Sequence, residues 1–410
     1  MNDMSNLLTK LMLAAVLVGA NTTALANPGD GVRLGGSEGR LHPFVEVEGR
    51  YDSNAYAGNS TANGGGEAVS AIHVRPGLTL SVPGDMTSVD LTAKLDWWTT
   101  LGNSAAAKAL DGTIYASAEL GISVNKKGTV GLEVNDTFRR DDRPTALTIP
   151  YSVSSNYNLL DLAVPFRPGG GALTVELRGG WALESYEPRD KTNCPSPDPA
   201  CSVSKYGYNG YSGGAGVAWK FLPRTSAILE GEYLKRTPND TTVSTTGDSS
   251  GYRIDTGVTG LVTPHIAATV KVGYGSADTA IQKMSTFLAI LEGEWMPTEL
   301  ASVKLGYAHD LNVEATDQYT TNRIVLAAKQ LVAGKIALGL TGSVELLSYV
   351  PGSETTTILQ VSPAVGVEVT RWLKAELAYA YTDRSSSAVK AQTLLDYSKS
   401  EVWLKAVATY

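Results

Sequence analysis

The chain closes on Glu401-Val-Trp-Leu-Lys-Ala-Val-Ala-Thr-Tyr410. Val402, Leu404, Ala406, Ala408 and Tyr410 share one parity, and Glu401, Trp403, Lys405, Val407 and Thr409 share the other. A period of two, apolar on one side and mostly polar on the other, marks a β-strand between two different surroundings. It runs to the last residue, where chain ends fray unless they are tied down. A closed outer-membrane barrel supplies the tie, because an unpaired edge strand in lipid leaves backbone groups unsatisfied. Tyr410 is then expected beside the first strand, near Phe44.

The same alternation recurs after residue 40. Val45, Val47, Gly49 and Tyr51 oppose Glu46, Glu48 and Arg50; Val89, Leu91, Ala93, Leu95 and Trp97 oppose Asp90, Lys94 and Asp96. Leu173, Val175 and Leu177 oppose Glu176 and Arg178, and Leu373, Ala375 and Leu377 oppose Lys374 and Glu376. No helical periodicity is expected beyond the amino-terminal segment. Short connections near 82–87, 125–128, 167–171, 222–225, 263–265, 296–299, 331–334 and 370–372 alternate with generally longer polar ones. That asymmetry predicts an all-β fold: one antiparallel transmembrane barrel of about 18 strands, with short periplasmic turns and longer extracellular loops. Pro76 and Pro363 fall inside predicted strands, where a missing ladder donor implies a bulge or local break.

If the apolar parity meets lipid, the other lines the lumen. That set holds Glu46, Glu48, Arg50, Asp90, Lys94, Asp96, Glu119, Glu176, Arg178 and Glu230. It continues with Glu232, Lys271, Glu292, Glu294, Lys304, Glu376 and Lys405, together with the aromatic residues Trp98, Tyr115 and Trp403. So many charges on one parity suit a water-filled channel rather than a dry core. Phe166, Trp219, Phe221, Trp295, Trp372 and Tyr410 gather at the short turns, where amphipathic rings would form the periplasmic girdle. A weak repeat runs through Trp219–Tyr233, Leu261–Tyr274 and Trp295–Tyr307, each a short turn followed by a rising strand that ends on or near Gly-Tyr.

The ends and the cysteines set the compartment. Lys10, the apolar run 11–20 and Ala24-Leu25-Ala26 read as a secretory signal peptide over residues 1–26. Residues 27–40 would form a short periplasmic segment, too short to be a plug domain, and 41–410 the barrel. Cys194 and Cys201 flank three prolines in a loop, and in an exported chain a disulfide across it is expected.

A formal net charge of -7 offers no basic footprint for nucleic acid. His42, His73, His265 and His309 match no metal-ligand spacing, no nucleophile elbow or phosphate loop appears, and no cofactor is expected. Glu230/Glu232 and Glu292/Glu294 are same-face neighbours on strands rather than a glycosidase pair, so no enzyme is predicted. Asp52 and Asn54 read as a strand-to-loop turn.

His42-Pro-Phe-Val-Glu-Val-Glu-Gly-Arg-Tyr-Asp-Ser-Asn54 and Val74-Arg-Pro-Gly-Leu-Thr-Leu80, with the Gly-Tyr repeats, resemble the putative β-barrel porin 2 family. The resemblance implies an outer-membrane porin from a polysaccharide-export locus, with outer-membrane lipid around it. It further implies a secreted polysaccharide as cargo and a periplasmic polysaccharide-export protein as partner. A general diffusion porin for small solutes and a closed surface-exposed structural or adhesion barrel are the alternatives.

Overall fold

A computed structural model describes residues 29–34, 38–55, 66–141, 153–188, 206–240, 247–280, 282–313, 318–350, 352, 354–387 and 396–410. The signal segment, Cys194 and Cys201 lie outside the described residues.

A two-residue strand, β1 (Val32–Arg33), precedes eighteen long ones. The first nine are β2 (Arg40–Asp52), β3 (Val69–Val82), β4 (Thr87–Leu101), β5 (Ile114–Val124), β6 (Leu132–Asp141), β7 (Val153–Phe166), β8 (Leu173–Pro188), β9 (Tyr208–Leu222) and β10 (Thr225–Pro238). The second nine are β11 (Ser249–Thr263), β12 (Ile266–Asp278), β13 (Lys283–Thr298), β14 (Ala301–Val313), β15 (Gln318–Val332), β16 (Ile336–Val350), β17 (Thr355–Thr370), β18 (Leu373–Ser386) and β19 (Tyr397–Thr409). Each long strand pairs antiparallel with the next, and β19 pairs back onto β2. The closing register sets Thr409 opposite Phe44, Lys405 opposite Glu48 and Trp403 opposite Arg50. Closure satisfies the backbone of the first and last strands at once, which lipid demands of any spanning sheet.

Parity sorts the side chains. Leu404 is 61% exposed, Leu377 59% and Leu305 57%, and comparable apolar residues continue around the outer wall. A surface in water does not tolerate so large an apolar band; a hydrocarbon layer does. Register shifts at the β9–β10, β11–β12, β13–β14 and β17–β18 turns lie at the rim carrying the short connections. Bulges there tighten the turn and add twist.

The two prolines produce the local break and no bulge. Pro76 keeps its rung to Val45, while the β3–β4 ladder skips from Val74 opposite Trp97 to Gly77 opposite Lys94 in unchanged register. Pro363 behaves alike, paired to Leu340 on one side and skipped between Val361 and Ala364 on the other. Proline removes one donor, so one ladder loses rungs while the opposite one holds the strand in line.

The expectation of no helix is corrected. A short helix, α1 (Ala105–Leu110), lies in the β4–β5 connection. Ser104 caps it, its hydroxyl accepting from Ala107 N at 3.1 Å. Six residues are under two turns, so no 3.6-residue period is readable; the cap followed by an alanine-rich run is the local signal.

Candidate functional site

The lumen holds three arrangements, each built from inward-facing strand residues. The first lies at the closing seam. Arg75 of β3 contacts Glu46, reaches Glu48 Oε2 at 2.7 Å and meets Asp96 Oδ2 at 2.8 Å. Arg50 adds a bond to Glu48 Oε1 at 2.7 Å and lies 3.6 Å from Glu401; Lys399 holds Asp52 at 2.8 Å. His73 Nδ1 is 3.0 Å from both Asp96 Oδ1 and Arg75 Nη2, so it donates to the carboxylate or accepts from the guanidinium, one at a time. These groups are largely buried, with Glu48 2% exposed and His73 wholly covered. Opposite charges at hydrogen-bond distance are what make such burial tolerable.

Trp98 and Tyr115, expected among the lumen-lining residues, pack together beneath α1. Trp98 lies 4.1 Å from the His73 ring and 5.5 Å from Tyr115, centroid to centroid. Ala106, Ala107 and Leu110 of α1 join them in one apolar cluster with Ala55 and Val69. The helix turns its apolar face to the wall to leave water, and the two rings receive it. Leu110→Ala is expected to cost about 2–5 kcal/mol of local packing. Single-channel recording in bilayers should show higher conductance or new open-state noise; an unchanged trace would mean that α1 does not narrow the path.

The second arrangement is a belt of cross-strand ion pairs. Glu230 receives Arg178 at 3.2 Å and Lys271 at 3.0 Å, and Arg178 also donates to Glu176. Lys304 meets Glu292 at 3.0 Å, Lys405 meets Glu376 at 2.9 Å and Arg323 meets Glu345 at 3.2 Å. Glu232 stands opposite Arg253 in register, and Glu294 opposite Lys304. Asp90 accepts from Ser81 at 2.7 Å, while Lys94 and Glu119 stand opposite Ser117 and Thr92 in register. Trp403 lies beneath the Arg50 guanidinium at 5.5 Å. Phe166, Trp219, Phe221, Trp295, Trp372 and Tyr410 all stand exposed on the outer wall at the rim of short turns.

The third is a vestibule at the opposite, long-loop end, a cavity of about 630 Å³. Tyr157, Tyr206, Tyr208 and Tyr319 line it with Arg236, Arg253 and Asp310. Arg236 lies over the Tyr208 ring at 4.4 Å, and Arg139 over Tyr157 at 5.2 Å. Arg253 is paired to Asp255 at 3.0 Å and to Asp310 at 3.6 Å. Sequence reading missed Tyr157, Tyr208, Arg236 and Asp310 as a group. They occupy strand ends, where alternation fades into polar loops, although parity counted inward from mid-strand would have found them.

Among the described residues no cluster of His, Cys, Asp and Glu has the makings of a metal site. Asn54 N donates to Asp52 Oδ1 at 2.9 Å, a side-chain turn at the end of β2. The site thus offers paired charge, hydroxyl groups and aromatic faces.

Residues 31–410 match the model of the family described as Putative beta-barrel porin 2. No protein of curated function matches. Among solved structures, OccAB2 of Acinetobacter baumannii aligns with TM-score 0.50 and 10% identity over 91% of this chain and 98% of that one. OccK9 (OpdG) of Pseudomonas aeruginosa gives 0.50 and 10%, over 91% and 99%. OpdK of Pseudomonas aeruginosa with vanillate gives 0.48 and 12%, over 90% and 99%. At such identities the likeness is one of fold.

Proposed function

Because this chain belongs to the Putative beta-barrel porin 2 family, we propose that it is the outer-membrane porin through which a secreted polysaccharide leaves the cell. The vestibule carries this reading. Hydrated sugars bind weakly to aromatic faces and to hydroxyl, carboxylate and guanidinium groups, and a polymer advances only if each contact is easily replaced. Tyr157, Tyr206 and Tyr208 supply the faces there. Arg253 and Arg323 are paired to carboxylates and Arg236 is held over the Tyr208 ring, so these charges grip the chain only weakly. A periplasmic polysaccharide-export protein would deliver the polymer to the short-turn rim. A cleaved signal over residues 1–26 and a Cys194–Cys201 disulfide that braces one external loop belong to the same proposal.

The balanced charge of the belt also suits a general diffusion porin for small solutes, since it sets up no strong selective field. Deletion of the gene with an assay of surface polymer separates the two readings. Export predicts loss of polymer, restored by the wild-type gene and poorly by Tyr157→Ala/Tyr208→Ala; normal secretion in the deletion strain overturns it. Bilayer conductance by the purified protein separates both from a closed adhesion barrel.

A further inference from the structure

The backbone ladder is incomplete at one seam. The ladders flanking it run to the outer ends of their strands, with Asp278 opposite Lys283 between β12 and β13, and Val313 opposite Gln318 between β14 and β15. Between β13 and β14 the ladder stops at Ala289 opposite His309, although β13 begins at Lys283 and β14 continues to Val313. In that register Leu288, Phe287, Thr286 and Ser285 would face Asp310, Leu311, Asn312 and Val313, and none of these four rungs forms.

The outer end of β14 is held from the lumen side instead. Arg236 of β10 donates to Val313 O, and Arg253 of β11 lies 3.6 Å from Asp310. Side chains alone span the seam. The His309 ring stacks on Phe287 at 4.5 Å, with Nε2 3.2 Å from Thr286 Oγ1 and Nδ1 2.9 Å from Asn322 Oδ1.

The level of the gap matters. Phe287 is 62% exposed on the outer wall, in register with Tyr274, which packs on Tyr252 at 6.3 Å. Strand rise and tilt put Phe287 roughly 20 Å above Trp295 in the girdle at the other rim. The apolar band of such barrels is about 25 Å tall, so the seam parts in the outer part of that band, below the outer-leaflet head groups. On its inner side lies the vestibule, to which Leu288, Ala308 and Asp310 contribute.

We propose that the outer half of the β13–β14 seam is a lateral opening that admits a single-chain amphiphile from the outer leaflet. Its polar head would enter the vestibule while its chain stays in lipid. The seam is shut by Leu288, 2% exposed, and by the Phe287–His309 stack; opened, it would join an apolar medium to a polar cavity and favour a molecule with both characters. The head is zwitterionic: Arg253 and Arg323 are already matched by Asp255, Asp310 and Glu345, while Arg236, held by Val313 O and the Tyr208 ring, is left to meet its anionic group. His309 is the latch. The inference stands apart from the polymer reading and does not depend on it.

Photo-crosslinking in proteoliposomes tests it. Benzoylphenylalanine replaces Ala308 beside the seam or, as a lumen control, Thr79 of β3, with Cys194 and Cys201 changed to serine. The probe is radiolabelled lysophosphatidylcholine, and heat-dependent gel migration verifies folding. Labelling is expected at position 308 and not at 79. Added Ser285→Cys/Val313→Cys, oxidised, should abolish it by forcing the missing rungs, and reduction should restore it. Should the locked pair not fold, His309→Ala serves instead and should raise labelling. Equal labelling at both positions means entry through the mouth and overturns the proposal, as does labelling indifferent to the lock or to loss of the latch.

Discussion

Arg75→Met is expected to destabilise the barrel by about 3–5 kcal/mol, since it removes the guanidinium that bridges Glu46 and Asp96 and leaves Glu48 to Arg50 alone. Arg75 is 7% exposed and bonds to Glu46, Glu48 and Asp96 together. Unfolding in urea from lipid vesicles, followed by tryptophan emission, measures the loss. Adding Glu46→Gln should recover part of it by removing the carboxylate that loses its ion-pair partner. A loss below about 1 kcal/mol would place the cluster in the class of exposed pairs, screened by lumen water. Lys127 and Asp85 provide the contrast at 3.0 Å, for they are 82% and 90% exposed, and Lys127→Ala should be nearly silent.

Leu404→Arg is expected to cost about 2–4 kcal/mol, the depth-dependent penalty for a cation facing the middle of the bilayer. Leu404 stands six residues from Tyr410 along β19, roughly 15 Å above the short-turn rim by strand rise and tilt. Its neighbour Lys405 points inward and pairs with Glu376 at 2.9 Å. Lys405→Leu should therefore leave unfolding in vesicles little changed and act on conductance instead. Equal penalties at both positions would mean that parity does not separate lipid from lumen in this strand.

The barrel was legible because lipid and lumen impose opposite chemistry on alternate residues, and a period of two records that along each strand. Strand number followed from the contrast between short and long connections. α1 was not legible, being too short for a period and lying in a stretch that reads as a loop. Neither was the fate of Trp98 and Tyr115. Parity turned them inward, but whether an inward ring meets water or a helix depends on a segment that parity does not describe.

By itself, then, the sequence determined which residues face outward and which inward and that β19 pairs with the first long strand, because these follow from local alternation and from the cost of an open edge in lipid. Only the tertiary structure decided that Arg75 unites charges from three strands and that α1 covers Trp98. It alone decided that the β13–β14 ladder stops at Ala289. Those depend on distances between residues far apart in the chain, and on competition for β14 between its neighbour and the arginines across the lumen.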